Sequence, residues 1–276
     1  MQPIKDSLHK ARKIVIVLSL LLTALIALAL WILRTPRHAI LGAGICIICL
    51  LLSFRFVLAL VKRHGYFTLL SSLYDRLRPD VFLDQVGPVL DQTRLSEEQT
   101  FILELATCDA YASAGETDIA IERLEKIKLP EKGNAHAQLE LTTHLLKYRM
   151  LAGDKEGSTF LIDRMQHMMH LHSNAKAITS ITFADCLYRA KIHLALISSQ
   201  PLPPASSQFL LDLETKNLHR MEKEYTIFLL ALVHEQEGCP EKQMSCFEQI
   251  MDSESTTLIH SRATRQLQNL KGHEEQ

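Results

Sequence analysis

Few residues in this 276-residue chain are spaced to do chemistry. The densest set is Met165-Gln-His-Met-Met-His-Leu-His172, in which His167 and His170 share one helix face beside the thioethers of Met165, Met168 and Met169. Imidazole and thioether donors together suit copper, whereas a Met and His mixture at a helix end is more often core packing with exposed imidazoles. His167 and His170 are thus metal candidates against a leading expectation of no metal and no cofactor. A second set, Cys46-Ile-Ile-Cys49, has redox-type C-x-x-C spacing. Its apolar neighbours would raise a thiol pKa instead of lowering it, which favours packing. Glycine-rich nucleotide loops, G-x-S-x-G and H-E-x-x-H do not occur, and no carboxylate or Cys/His pair can be assigned from spacing. The expectation is a protein that is not an enzyme.

The elements that would hold these residues divide by charge. The first 64 residues carry nine basic side chains and one acidic (Asp6), a net of +8, and the remainder carries 21 basic and 30 acidic, a net of -9. An acidic remainder argues against nucleic acid as a partner. Within the basic part, Ile14 to Leu33 is a run of 20 residues without charge, long enough to span a hydrocarbon core of about 30 Å. Ala39 to Val61 is a second run, with Arg55 near enough to its end to reach the headgroups. Ala27-Leu28-Ala29 has the small-x-small form of a signal-peptidase site, but the apolar run is longer than a signal core. Small residues at Ser19, Thr23 and Ala27, and at Gly42, Cys46, Cys49 and Ser53, give each span a face for close packing. Basic residues flank both spans. The expected organisation is therefore a basic cytoplasmic tail (1–13), a two-helix transmembrane hairpin (14–64, spans 14–33 and 39–61) and a cytoplasmic domain (65–276). This is the plan of a multi-pass bacterial plasma-membrane protein, and the six scattered cysteines read as reduced thiols.

Beyond Gly65 the apolar residues recur at helical spacing, and Gly and Pro fall at intervals of one helix. The pattern predicts helices over Tyr66–Leu77, Asp80–Thr93 (broken at Gly87-Pro88), Ser96–Ala114, Glu116–Lys128, Asn134–Ala152 and Lys155–His170. It continues with Ala175–Ser198, Ala205–Leu218, Met221–Glu237, Glu241–Met251 and Thr256–Leu270. Short turns make consecutive helices antiparallel pairs, and Ser96-Glu-Glu-Gln has the form of a helix-start signal.

One pair is especially informative: Asp109-Ala-Tyr-Ala-Ser-Ala-Gly-Glu116, then Ala120-Ile-Glu-Arg-Leu-Glu-Lys-Ile127 and Pro130. Gly115 suits a left-handed turn, Ala120 lets two backbones approach, and Tyr111 and Leu124 fill the space between pairs. The pattern returns at Tyr148 to Asp154 with Gly153, and at Ala231 to Gly238 with Phe247, spaced 38 and 85 residues apart at the glycines. Over about 96–251 the chain resembles the tetratricopeptide repeat, although its spacing exceeds the usual period of about 34. The resemblance implies an all-α fold in which a solenoid of antiparallel helix pairs follows the hairpin, with a concave groove that holds a protein segment. Carried over position by position, the groove-facing candidates are Asp109, Lys147, Tyr225, Phe228 and Glu235, although Tyr225 and Phe228 equally suit a core. The expected function is a membrane-tethered scaffold or adaptor for a protein partner. Its alternatives are an accessory subunit of a membrane enzyme and a metal-responsive sensor.

Overall fold

The computed structural model describes residues 65–92, 95–131, 134–171, 181–216, 218–252 and 254–274, with Ser53 alone before them. The chain forms two compact units, Met1–Phe67 and Thr68–Gln276. Among the described residues no helix is long and apolar enough to cross a membrane. The tail and both spans expected before residue 64, with Cys46 and Cys49, lie outside the described residues.

The second unit is all-α in its described elements. Residues 68–74 are helical (α1). They are followed by α2 (Pro79–Gln92), α3 (Glu97–Ala114), α4 (Thr117–Lys126), α5 (Asn134–Leu151) and α6 (Lys155–Leu171). Then come α7 (Phe183–Ser198), α8 (Ser206–Thr215), α9 (Arg220–Gln236), α10 (Pro240–Met251) and α11 (Leu258–Glu274). The expected break at Gly87-Pro88 is absent, since α2 runs through both residues. Pro88 removes one backbone donor, and burial of the flanking Phe82 and Val86 holds the helix in place despite that loss. The helix expected from Ala175 begins at Phe183, where the Thr182 hydroxyl accepts from the Asp185 amide at 3.1 Å.

Local signals explain the hairpins. At the start of α3 the Ser96 hydroxyl accepts from the Gln99 amide (3.2 Å) and the Gln99 side chain accepts from the Ser96 amide (3.1 Å), a reciprocal cap. At its end Gly115 takes φ +94°, and its amide and the next bond back to Ala112 and Tyr111, which turns the chain into α4. Gly153 and Gly238 occupy the same left-handed region after α5 and α9. After α7 that place is taken by Ser199, at φ +54°.

The paired helices form two layers. The first helices, α3, α5, α7 and α9, pack on one another in sequence and are covered by the second helices, α4, α6, α8 and α10. An inner helix is buried nearly all round, as α9 is from Met221 to His234, whereas α4 buries only Ala120 and Leu124. Among the described residues much of the core falls into three clusters. Phe101, Leu105, Ala120, Leu124 and Tyr148 join α3, α4 and α5. Leu146, Leu161, Met165, Phe183 and Leu213 join α5 to α8. Leu210, Phe228, Phe247, Ile259 and Ala263 join α8 to α11. Burial by nearest neighbours is how stacked hairpins hold together. One contact departs from that pattern, because α11 packs on α9 and α10 and also returns to α3.

Candidate functional site

The inner faces of the first helices are polar as well as buried. On α5, His136, Glu140, His144 and Tyr148 follow one another at four-residue steps, so their side chains form one stripe along the helix. Five helices contribute polar side chains around this stripe, in two sets that adjoin on α5. Asp109 of α3 accepts from the Tyr74 hydroxyl (2.8 Å) and the Tyr148 hydroxyl (2.8 Å), and lies 3.1 Å from Nδ1 of His144. Glu140 lies 3.8 Å from Nε2 of His144 and 3.5 Å from Nε2 of His136.

The second set centres on Glu222 of α9. Lys147 of α5 donates to one of its oxygens at 2.6 Å, and Nη2 of Arg189, from α7, lies 2.6 Å from the other. The Arg189 guanidinium lies over the Tyr225 ring at 4.8 Å, and Nδ1 of His193 meets the Tyr225 hydroxyl at 2.7 Å. These charges are almost fully withdrawn from water, so each is stabilised by its partner and not by solvent.

The titration of these groups follows from that setting. Burial alone would raise Asp109, yet His144 and Lys147 bring it below its ordinary value. Burial would lower His144, and Asp109 with Glu140 outweighs it and raises the imidazole. Glu222 is likewise lowered by Arg189 and Lys147 against the cost of burial. His193 has no acid beside it, and burial together with Arg262 and Arg189 pushes it down to about 3. Burial pushes the thiols of Cys108 and Cys186 up to about 12, so neither is a nucleophile at neutral pH. The space beside Glu140, His144, Lys147, Arg189 and Glu222 is about 30 Å³, room for a water molecule.

Of the five groove candidates, Asp109, Lys147, Tyr225 and Phe228 are drawn into the interior, and Glu235 alone is exposed. Asp109, Lys147 and Tyr225 belong to the polar sets, while Phe228 packs against Phe247 with ring centroids 6.2 Å apart. Ala120, Leu124 and Phe247 are buried at the helix crossings, and Tyr111 and Pro130 are partly buried, with Arg123 stacked 5.4 Å from the Tyr111 ring centre. At the Met/His set, His167 is exposed while Met165 is buried, so the two do not face one site. The side chain of His170 lies outside the described residues. Among the described residues no group of three His, Cys, Asp or Glu could hold a metal ion.

Spacing alone did not single out Tyr74, His144, Arg189, His193 or Glu222. A signal was present, since His144 to Tyr148 and Arg189 to His193 are titratable or hydroxyl-bearing residues at four-residue steps on one face of their helices. No family model, no curated protein and no solved structure matches the chain.

Proposed function

We propose that this protein is a membrane-tethered helical scaffold that holds a protein partner beside the cytoplasmic face of the membrane. The observation that carries this reading is the row of stacked hairpins, whose inner faces gather opposite charges from α3, α5, α7 and α9. Two features of the sequence support the tether: the uncharged runs 14–33 and 39–61, and the basic residues that flank them. Stacked pairs with glycine turns at 115, 153 and 238 favour a tetratricopeptide-like repeat. Tethering raises the effective concentration of anything that binds the unit near the membrane.

The test is photo-crosslinking in the native membrane, with the reactive residue placed in turn at Glu235 and at Phe160, which is 66% exposed on α6. A single protein captured at one position and absent from the other is expected, because a scaffold presents one face to its partner. Diffuse capture at both positions would count against the scaffold.

A further inference from the structure

We infer that α11 is a lid on the inner face of the helical unit, which opens from its first turn while the hairpins beneath stay folded. The inference deepens the scaffold reading only in one respect: the face the lid covers is the one a partner segment would use. Three observations on α11 carry it.

First, α11 buries a narrow stripe of Ile259, Ala263 and Leu267. The helix it lies across, α9, is buried from Met221 to His234. The apolar area that holds α11 is thus the smaller, and hydrophobic stabilisation scales with that area.

Second, its first turn sits directly over the polar sets. An enclosed space of about 10 Å³ is bounded below by Asp109, Lys147 and Glu224 and above by Thr257 and Leu258. Lifting that turn would bring water to Asp109 and to the Lys147 side of its ion pair with Glu222.

Third, buried polar atoms without a hydrogen-bond partner collect at this joint. Oε1 of Glu224 and Nδ1 of His260 are both of this kind. The Thr257 hydroxyl satisfies the other oxygen of Glu224 at 2.8 Å. No cation is in ion-pair contact with this carboxylate among the described residues, and burial raises its pKa despite nearby Ser255, His260 and Arg220. A closed lid therefore buries a carboxylate that has no cation against it, and opening relieves that cost. Farther along the helix, Lys271 pairs with Glu248 of α10 at 3.2 Å and the Thr264 hydroxyl donates to Sδ of Met251 at 2.9 Å, and the ties nearer the first turn are few. The Thr256 amide donates to the Leu77 carbonyl at 3.3 Å, its hydroxyl to Asp80 at 3.3 Å, and Arg262 to the Leu151 carbonyl at 3.0 Å.

Hydrogen exchange on the purified full chain in detergent tests the lid without any partner. The amides of 261–267, the first with backbone acceptors in the helix, are expected to exchange together, at least about ten-fold faster than those of α5 and α9. Glu224→Gln removes the buried charge and keeps an acceptor for Thr257, so it is expected to slow α11 several-fold. Thr257→Val removes the hydroxyl that Glu224 needs, and is expected to quicken α11 about ten-fold without changing α5. Protection that decays progressively inward from Glu274 would show ordinary end fraying and overturn the lid. So would equal protection of α11 and α9, or a Glu224→Gln variant that exchanges as fast as the native chain. A failed partner capture leaves these outcomes unchanged, so the lid and the scaffold stand or fall separately.

Discussion

Ser158 stands five residues after Gly153, as Ala120 stands five after Gly115, and both are wholly buried where a second helix crosses its neighbours. The hydroxyl of Ser158 has no hydrogen-bond partner there, so it carries a desolvation cost that alanine would not. Ser158→Ala is expected to stabilise the chain by about 1 kcal/mol, read as a rise in Tm. A fall in Tm would mean that the hydroxyl is satisfied in solution. Two of the buried histidines, His193 and His144, oppose one another as pH changes. His193 is held neutral in the folded chain, so below its ordinary value of 6.5 the unfolded chain takes up a proton that the folded one refuses. Its contribution is complete above that value and is lost as the pH falls toward about 3. His144 is raised, so its contribution is complete below 6.5 and is lost as the pH rises through its elevated folded value. Thermal melting across this range should therefore peak near pH 6.5, with His193→Gln flattening the acid side and His144→Gln the alkaline side. An unchanged acid slope in His193→Gln would refute the assignment.

At the scale of elements, Glu222 matters because it joins three helices that are distant in sequence. Lys147 comes from α5, Arg189 from α7 and the carboxylate from α9. Glu222→Gln leaves two buried cations without their counter-ion and is expected to cost about 3 to 5 kcal/mol in urea denaturation. Replacing all three with Met or Leu should recover most of that loss, since buried ion pairs hold little advantage over apolar packing. A loss below about 1 kcal/mol in the single variant would mean that water reaches the pair. The elements themselves were largely legible in the sequence. Gly115, Gly153 and Gly238 mark three helix ends, and Ser96 with Gln99 marks a start, because caps and turns are local chemistry. Gly87-Pro88 misled for the converse reason, as a local breaker signal was overruled by packing. The polar sets were illegible because helical spacing tells which residues share a face, not whether another helix lies against that face. Asp109 and Lys147 read as groove-facing until Tyr74, His144 and Tyr148 close on the first and Glu222 on the second.

For the unit as a whole, the return of α11 to α3 limits how it can change in length. An open row of hairpins can gain or lose a pair at little cost, since each pair meets only its neighbours. Here Thr256 is tied to Leu77 and Asp80, and Leu258 lies against Gly115, where a Cβ would stand in ordinary contact at 3.7 Å from its Cδ1. A further pair inserted after α10 would carry α11 away from these partners. Closure thus fixes the number of hairpins, and duplication, the usual route by which arrays of this kind diversify, is barred to this one.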